Sequence, residues 1–184
     1  MGSHRHFLSR NPQHTRRLMR RCVAISLVLA CALPGSALAA RDSLGVYDHW
    51  GSFKDPSIPR CYAIAISEKP RGKPDAPLGS ASVGTWPKKQ VHGQLYLRLS
   101  RELATGSAIT LSIGKRRFSL MGSGNNAWAR DKAMDAAIIS AMRSAEGMSV
   151  RAIGSDKKSF TDRYRLEGAA SAMDAATLAC AKIR

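Results

Sequence analysis

Histidine is scarce. Five occur in 184 residues, and three of them (His4, His6, His14) fall near the start, which leaves His49 and His92 for the body of the chain. Two histidines without H-x-x-x-H or similar spacing do not make a zinc site. Asp48 directly precedes His49, so in a strand the two side chains point to opposite faces and cannot act as a relay pair. There is no G-x-S-x-G elbow, and Ser123 has no neighbouring base to activate it. No metal, cofactor or catalytic residue is therefore expected. No apolar run reaches the ~20 residues of a membrane-spanning helix. Internal repeats, heptads and low-complexity tracts are missing too, which excludes solenoids and coiled coils.

Acid is also in short supply, with 13 Asp and Glu against 29 Lys and Arg. The first 39 residues contain no acid and six arginines (Arg5, Arg10, Arg16, Arg17, Arg20, Arg21). A twelve-residue apolar run, Cys22–Leu33, follows, and then Ala37-Leu38-Ala39. A basic segment, an apolar segment and small residues at an A-x-A site are the pattern of a secretory signal peptide cut between Ala39 and Ala40. The run is too short for a bilayer anchor. Met19 is an alternative start, because MRRCVAISLVLACALPGSALA is a complete signal by itself. Leu29 is bulky for the position two before a lipidated Cys31, so a lipoprotein is not expected.

The expected organisation is a signal peptide over 1–39 and a single domain over 40–184. Subtracting the six leader arginines from 29 leaves 23 basic against 13 acidic residues, a net charge of +10. No run of like charge in this part exceeds three, so the charge covers a folded surface rather than a tail. Such a field attracts anionic partners: an anionic envelope component or an acidic protein partner. Nucleic acid is not expected, since no aromatic stacking platform is visible. The basic groups are Lys88-Lys89, Lys115-Arg116-Arg117 and Lys157-Lys158, all in turns. Gathered at one end of a sandwich they form an anion-binding rim; dispersed, they are solvated hairpin tips that guard sheet edges.

Two of the four cysteines, Cys22 and Cys31, leave with the leader, and Cys61 and Cys180 remain. An even pair in an exported chain reads as a disulfide, with two separate buried thiols as the alternative. The bond would close a loop of about 120 residues, worth roughly 4–5 kcal/mol in the chain-entropy model.

The pattern of the remaining chain is mainly β. Val46–Phe53 suits an edge strand after a short lead, 40–44. Cys61–Ser67 has apolar residues on both faces and reads as a central strand buried on both sides. Ser80–Thr85, Gln94–Ser100, Ala108–Ile113, Arg117–Met121, Met148–Ile153 and Phe160–Leu166 alternate apolar and polar residues. Asp162 shares the apolar face of its strand without an evident partner. Glu68–Pro77 is a proline-rich loop. Gly122–Asn126 is turn chemistry, and its match to G-x-G-x-x-A is not a dinucleotide site. The helix opens later, at an Asp131 N-cap whose charge would repel a pyrophosphate. Met134, Ala137, Ile138, Ala141 and Met142 give this helix one apolar face, and Gly147 is placed to end it. A second helix, Ala169–Ala181, carries Ala172, Met173, Ala176 and Cys180 as its apolar stripe. About eight short strands and two helices imply an antiparallel β-sandwich with helical additions.

Particular stretches resemble a known family. The leader, the block Trp50…Cys61-Tyr62-Ala63-Ile64-Ala65, the strand Phe118-Ser119-Leu120, the helix ending near Gly147 and the closing Leu166-x-Gly168-x-x-x-Ala172 are similar to the invasion-associated locus B family. The resemblance covers about 45–184. It implies a small periplasmic or surface-associated protein of alphaproteobacteria, with an immunoglobulin-like β-sandwich and no catalytic residues to carry over. Better-known members have a cysteine pair around the central turn; Met121 and Trp128 stand there here, so the chain resembles a divergent branch. The family name implies a host-cell interaction or invasion factor as an alternative function. An envelope hydrolase using Asp48, His49 or Asp162 is another, and it requires a hollow that holds at least two of them.

Overall fold

The computed structural model describes residues 41–181. The proposed leader, its cleavage point Ala39–Ala40 and the alternative start Met19 lie outside the described residues. Ten strands form one antiparallel sheet: β1 (Asp42–Tyr47), β2 (Trp50–Asp55), β3 (Arg60–Ile66), β4 (Ser80–Trp86), β5 (Val91–Arg98), β6 (Ile109–Ile113), β7 (Arg116–Ser123), β8 (Asn126–Trp128), β9 (Gly147–Ile153) and β10 (Ser159–Arg165). Among the described residues there are two α-helices, α1 (Lys132–Met142) and α2 (Ala169–Ala181). The strand order is β1-β2-β3-β4-β5-β8-β7-β6-β9-β10. The expected mainly β sandwich is thus made from one continuous sheet bent over one core. β7 is the crossover: Arg116–Leu120 pair with β6, and Met121–Ser123 pair with β8.

The bend brings the last strand back against the first ones. The Glu68 N–H donates to the Arg163 carbonyl at 2.7 Å, and the Trp50 indole donates to the Arg165 carbonyl at 2.9 Å. These bonds occupy the outer edge of β10, which would otherwise be open to another strand. Asp162, unexplained by the strand pattern, has a partner across the fold. Its carboxylate accepts the Ser100 N–H at 2.9 Å and the Ser100 hydroxyl at 2.5 Å. Beside it, burial and then the Asp162 charge push the Tyr164 phenol far above its ordinary pKa.

Several strand limits differ from the sequence reading. The lead before Leu44 is already strand, and Val46–Phe53 is a hairpin rather than one strand, because Asp48 adopts a left-handed φ of 48°. Gly147 opens β9, and α1 ends at Met142 with Arg143 as its C-cap. The Asp131 N-cap is present: its carboxylate accepts the Met134 N–H at 2.8 Å.

Each helix covers a particular gap. β8 is only three residues long, and α1 packs against β5, β6 and β7 with Ile138, Ala141 and Met142 buried. Leu95 has no strand partner on that side, and its N–H donates instead to the buried Asp135 carboxylate at 2.9 Å. Burial raises the Asp135 pKa, opposed by the Leu95 hydrogen bond. α2 lies on the inner face of β1–β4 through Ala169, Ala172, Met173, Ala176 and Cys180. Small side chains let it sit close, and the Cys61–Cys180 disulfide joins it to β3 with the Cα atoms 5.7 Å apart. The pair expected from the cysteine count is therefore bonded. Arg143 and Asp174, 2.6 Å apart, link the end of α1 to α2 on the surface.

Two outcomes follow from this packing. Replacing both cysteines (C61S with C180S) should lower unfolding stability by about 4 kcal/mol, measured by denaturant titration; a loss below about 1 kcal/mol would show that α2 holds its place without the tether. Asp135→Ala should cost about 1–3 kcal/mol by leaving the Leu95 N–H unpaired, whereas Asp135→Asn keeps an acceptor and sheds the charge. Because the folded pKa of Asp135 is raised, ionisation opposes folding at neutral pH. The Asn variant should equal or exceed the parent in stability at pH 7 and lose that advantage at acid pH.

Candidate functional site

Among the described residues no helix lies on the outer face of β3, β4 and β5. The expectation that β3 is buried on both sides holds for the side bearing Cys61, Ala63 and Ala65, which α2 covers, and for Tyr62 on the other side, but not for the far end of the strand. The other side bears Tyr62, Ile64 and Ile66, and Ile66 is 58% exposed. The register aligns Tyr62 with Gly84, Ile64 with Ser82 and Tyr96, and Ser80 with Arg98. These residues wall a hollow of about 300 Å³ whose rim includes Arg41, Arg60 and Arg98.

Aromatic rings form its surface. Trp86 folds back over Gly84, where a Cβ would come within 2.6 Å of the indole, so only glycine lets the ring lie flat on the sheet. Phe53 lies over Gly51 in the same way and stacks on Tyr62, with centroids 5.6 Å apart. The Arg60 guanidinium sits 4.7 Å from the Tyr62 ring centre, within cation–π range. Tyr96 is 43% exposed, and its hydroxyl donates to the Asn126 side-chain carbonyl at 2.5 Å, which fixes the ring across the face.

Charge in the hollow is one-sided. Asp55 is the carboxylate beside it, and it is already engaged, with Arg60 Nη2 at 3.6 Å and Arg41 Nε at 3.7 Å. The Ser57 hydroxyl holds the Asp55 carboxyl below the usual range, with the Ile58 N–H, Arg60 and Arg41 adding to it against the effect of burial. Arg98 is exposed and forms no ion pair among the described residues. The arrangement can hold an anion against guanidinium groups and a flat ring against the aromatics.

The residues singled out from sequence lie elsewhere. Lys88 and Lys89 sit in a short 3-10 turn before β5, Lys115, Arg116 and Arg117 at the β6–β7 turn, and Lys157 and Lys158 at the β9–β10 turn. Ile113 pairs with Met148 and Ile153 with Ser159, so the last two groups occupy opposite ends of β9. About 20 Å of strand separates them. The single basic rim is not formed, and none of the seven residues lines the hollow. Arg116 instead donates to the Ala137 carbonyl of α1 at 3.2 Å. Asp48 and His49 form the β1–β2 turn, with His49 3.8 Å from Glu167, while Asp162 is buried against Ser100. Three hollows among the described residues have none of Asp48, His49 and Asp162 in their walls. Ser123 is exposed at the end of β7. Among the described residues no group of three or more His, Cys, Asp or Glu is placed to hold a metal, and no helix is long and apolar enough to cross a membrane.

The hollow is not legible in the sequence, because its walls come from three strands whose register is not written locally. The available signal was the repeated placement of Arg60-x-Tyr62 and Tyr96-x-Arg98 on alternating positions, which puts a ring and a guanidinium on the same face of each strand.

Fold and face together define a small disulfide-closed β-sandwich with an open aromatic and arginine-lined sheet face. Residues 54–177 match the family model described as invasion associated locus B (IalB) protein, and the chain belongs to that family. No curated protein and no solved structure matches it.

The Asp55 cluster has a pH signature. An acid whose folded pKa is depressed contributes stability above its unfolded pKa and loses it as pH falls through the folded value. Asp55→Asn should therefore be less stable than the parent at pH 7, and the gap should narrow below about pH 4. Thermal melts of both proteins across that range check this; a gap independent of pH would mean that Asp55 acts only through its geometry.

Proposed function

We propose that this chain is an exported, non-enzymatic protein that holds an anionic component of the cell envelope on the outer face of β3, β4 and β5. The observation that carries the reading is Arg98, without an ion-pair partner among the described residues and beside Tyr96, across a hollow whose nearby carboxylate, Asp55, is already engaged by two arginines. The hollow therefore presents guanidinium charge that nothing in the described residues neutralises. The dispersed lysines and arginines add a long-range field that draws anions toward the surface without determining where they bind.

Export is supported by the leader pattern over 1–39 and by the Cys61–Cys180 bond, since disulfides persist in oxidising compartments. After cleavage the protein would reside in the periplasm or on the outer surface. Envelope polymers rich in phosphate and carboxylate are the anions available there.

One set of measurements tests both parts. Protein recovered from a periplasmic extract should begin at Ala40 and bind purified anionic envelope fractions. Its affinity should fall as salt rises from about 10 mM to about 1 M, because the screening length shrinks from about 30 Å to about 3 Å. Arg98→Ala should weaken binding at low salt and flatten that dependence. Affinity indifferent to ionic strength removes the electrostatic reading, and recovery of the uncut chain from the cytosol removes export.

A further inference from the structure

We infer that the ligand of this face is an acidic polysaccharide, a glycan whose pyranose rings carry carboxylates, with Trp86 and Tyr96 as stacking surfaces and Arg98 as the carboxylate-binding group. This deepens the proposed function and rests on it.

Four kinds of occupant could meet a basic open face, and the chemistry separates them. A second copy of this chain would bring the same arginines to the hollow, with Asp55 on each copy already engaged. Like charge therefore opposes self-association here. An acidic peptide binds a sheet chiefly by adding a strand to an open edge. This site is instead on the face of β3, β4 and β5: β3 and β4 pair with neighbouring strands on both sides, and β5 pairs with β4 along its length and with β8 over Tyr96–Arg98. A peptide laid across the face finds no free ladder. A lipid surface is flat, whereas this site is a hollow with guanidinium groups at its rim.

A sugar chain meets what is present. A pyranose has one apolar C–H face, which stacks on an aromatic ring, and a periphery of hydroxyls, which need donors and acceptors. The Trp86 ring lies over Gly84, and Tyr96 stands opposite Ser82, two residues along on the neighbouring strand. Diagonal cross-strand positions of this kind are ~7–8 Å apart, so a glycan running across the two strands would meet one ring after the other. The Ser80 hydroxyl is in the lining, as are Ser82 and Asn126, which already bond to the Tyr96 carbonyl and hydroxyl and keep only their remaining donor and acceptor capacity for a sugar. Arg98 follows Tyr96 by two residues on the same face, so a carboxylate on a sugar stacked over Tyr96 falls within reach of its planar fork. Tyr96 is held for this task by its bond to Asn126, which reduces the entropy lost when a ligand stacks.

The test compares four probes on the exported form of the full chain: an oligogalacturonate, its methyl ester, poly-glutamate of matched charge, and an oligothymidylate of matched charge. Expected is binding of the oligogalacturonate, with the methyl ester and poly-glutamate each weaker by about tenfold or more. Trp86→Ala and Tyr96→Ala should each lower uronate affinity by about tenfold, in the range of single-ring stacking losses, and Trp86→Phe should restore much of it. Arg98→Gln, at an exposed position, should lower uronate binding while leaving the weak binding of the ester unchanged. If poly-glutamate binds as tightly as the uronate and the aromatic variants change nothing, the glycan inference fails while the electrostatic reading stands. Tighter binding of the oligothymidylate replaces the sugar by a base and also overturns it. If no anion binds at any ionic strength, this inference and the proposed function fail together. Thermal melts of the Trp86 variants distinguish lost stacking from lost folding, and Arg98→Gln decides the case if Trp86→Ala is unfolded.

Discussion

The bond between Cys61 and Cys180 determines which face of the first half of the sheet is buried. A strand such as β3, apolar on both sides, could accept a helix on either one. Cys61 points to the same side as Ala63 and Ala65, and the tether holds α2 there, against side chains small enough for close approach. Once that side is taken, Tyr62, Ile64 and Ile66 must form the other surface. The open face is thus a consequence of where the covalent link lies. The link also fixes the last element of the chain to one of its first strands, which removes much of the unfolded chain's freedom.

The remaining constraint is the closure of one long sheet. A ten-strand sheet has two edges, and here they are treated differently. The β10 edge is covered by the Glu68 N–H and the Trp50 indole, so the second half of the sheet folds down onto the first. Asp162 reinforces that contact by accepting two bonds from Ser100 at the end of β5. A buried carboxylate in this place looks catalytic when only its own strand is considered. Its geometry is that of a clamp, and both oxygens are already used.

Much of this was legible in the sequence where the information is local. Period-two alternation identified most of the strands, three-and-four spacing placed α1 and α2, Asp131 announced its cap, and cysteine parity gave the disulfide. What failed to show depends on partners far along the chain. The β1–β2 hairpin turns at Asp48, whose left-handed backbone no glycine advertises. The partner of Asp162 is 62 residues away. Asp135 lies on the buried side of α1 because a strand three residues long leaves the Leu95 N–H exposed, a fact about β8 rather than about the helix. The hollow itself needs the register of three strands, and a shift of one residue in any of them would send its rings into the core. The basic turns misled in the opposite sense: they are conspicuous in sequence, yet the fold sets two of them at the two ends of β9.

Two electrostatic scales are therefore separable in this molecule. The chain has 29 basic against 13 acidic residues, and the basic ones among the described residues are dispersed over strands, turns and loops, so the general field favours any anion alike and is screened by salt where it is exposed. Selectivity requires charge that is fixed in direction and set beside shape. Arg60 is held by Asp55 and the Tyr62 ring, and so spends its charge on the framework of the hollow. Arg98 has no such obligation among the described residues and lies next to a ring whose orientation is already settled by Asn126. On the proposed function, the general field would govern how quickly an anion arrives, and the pairing of Arg98 with the fixed Tyr96 plane would govern which anion remains. Specificity on that proposal would rest on a few outward positions of β4 and β5 rather than on the basic turns.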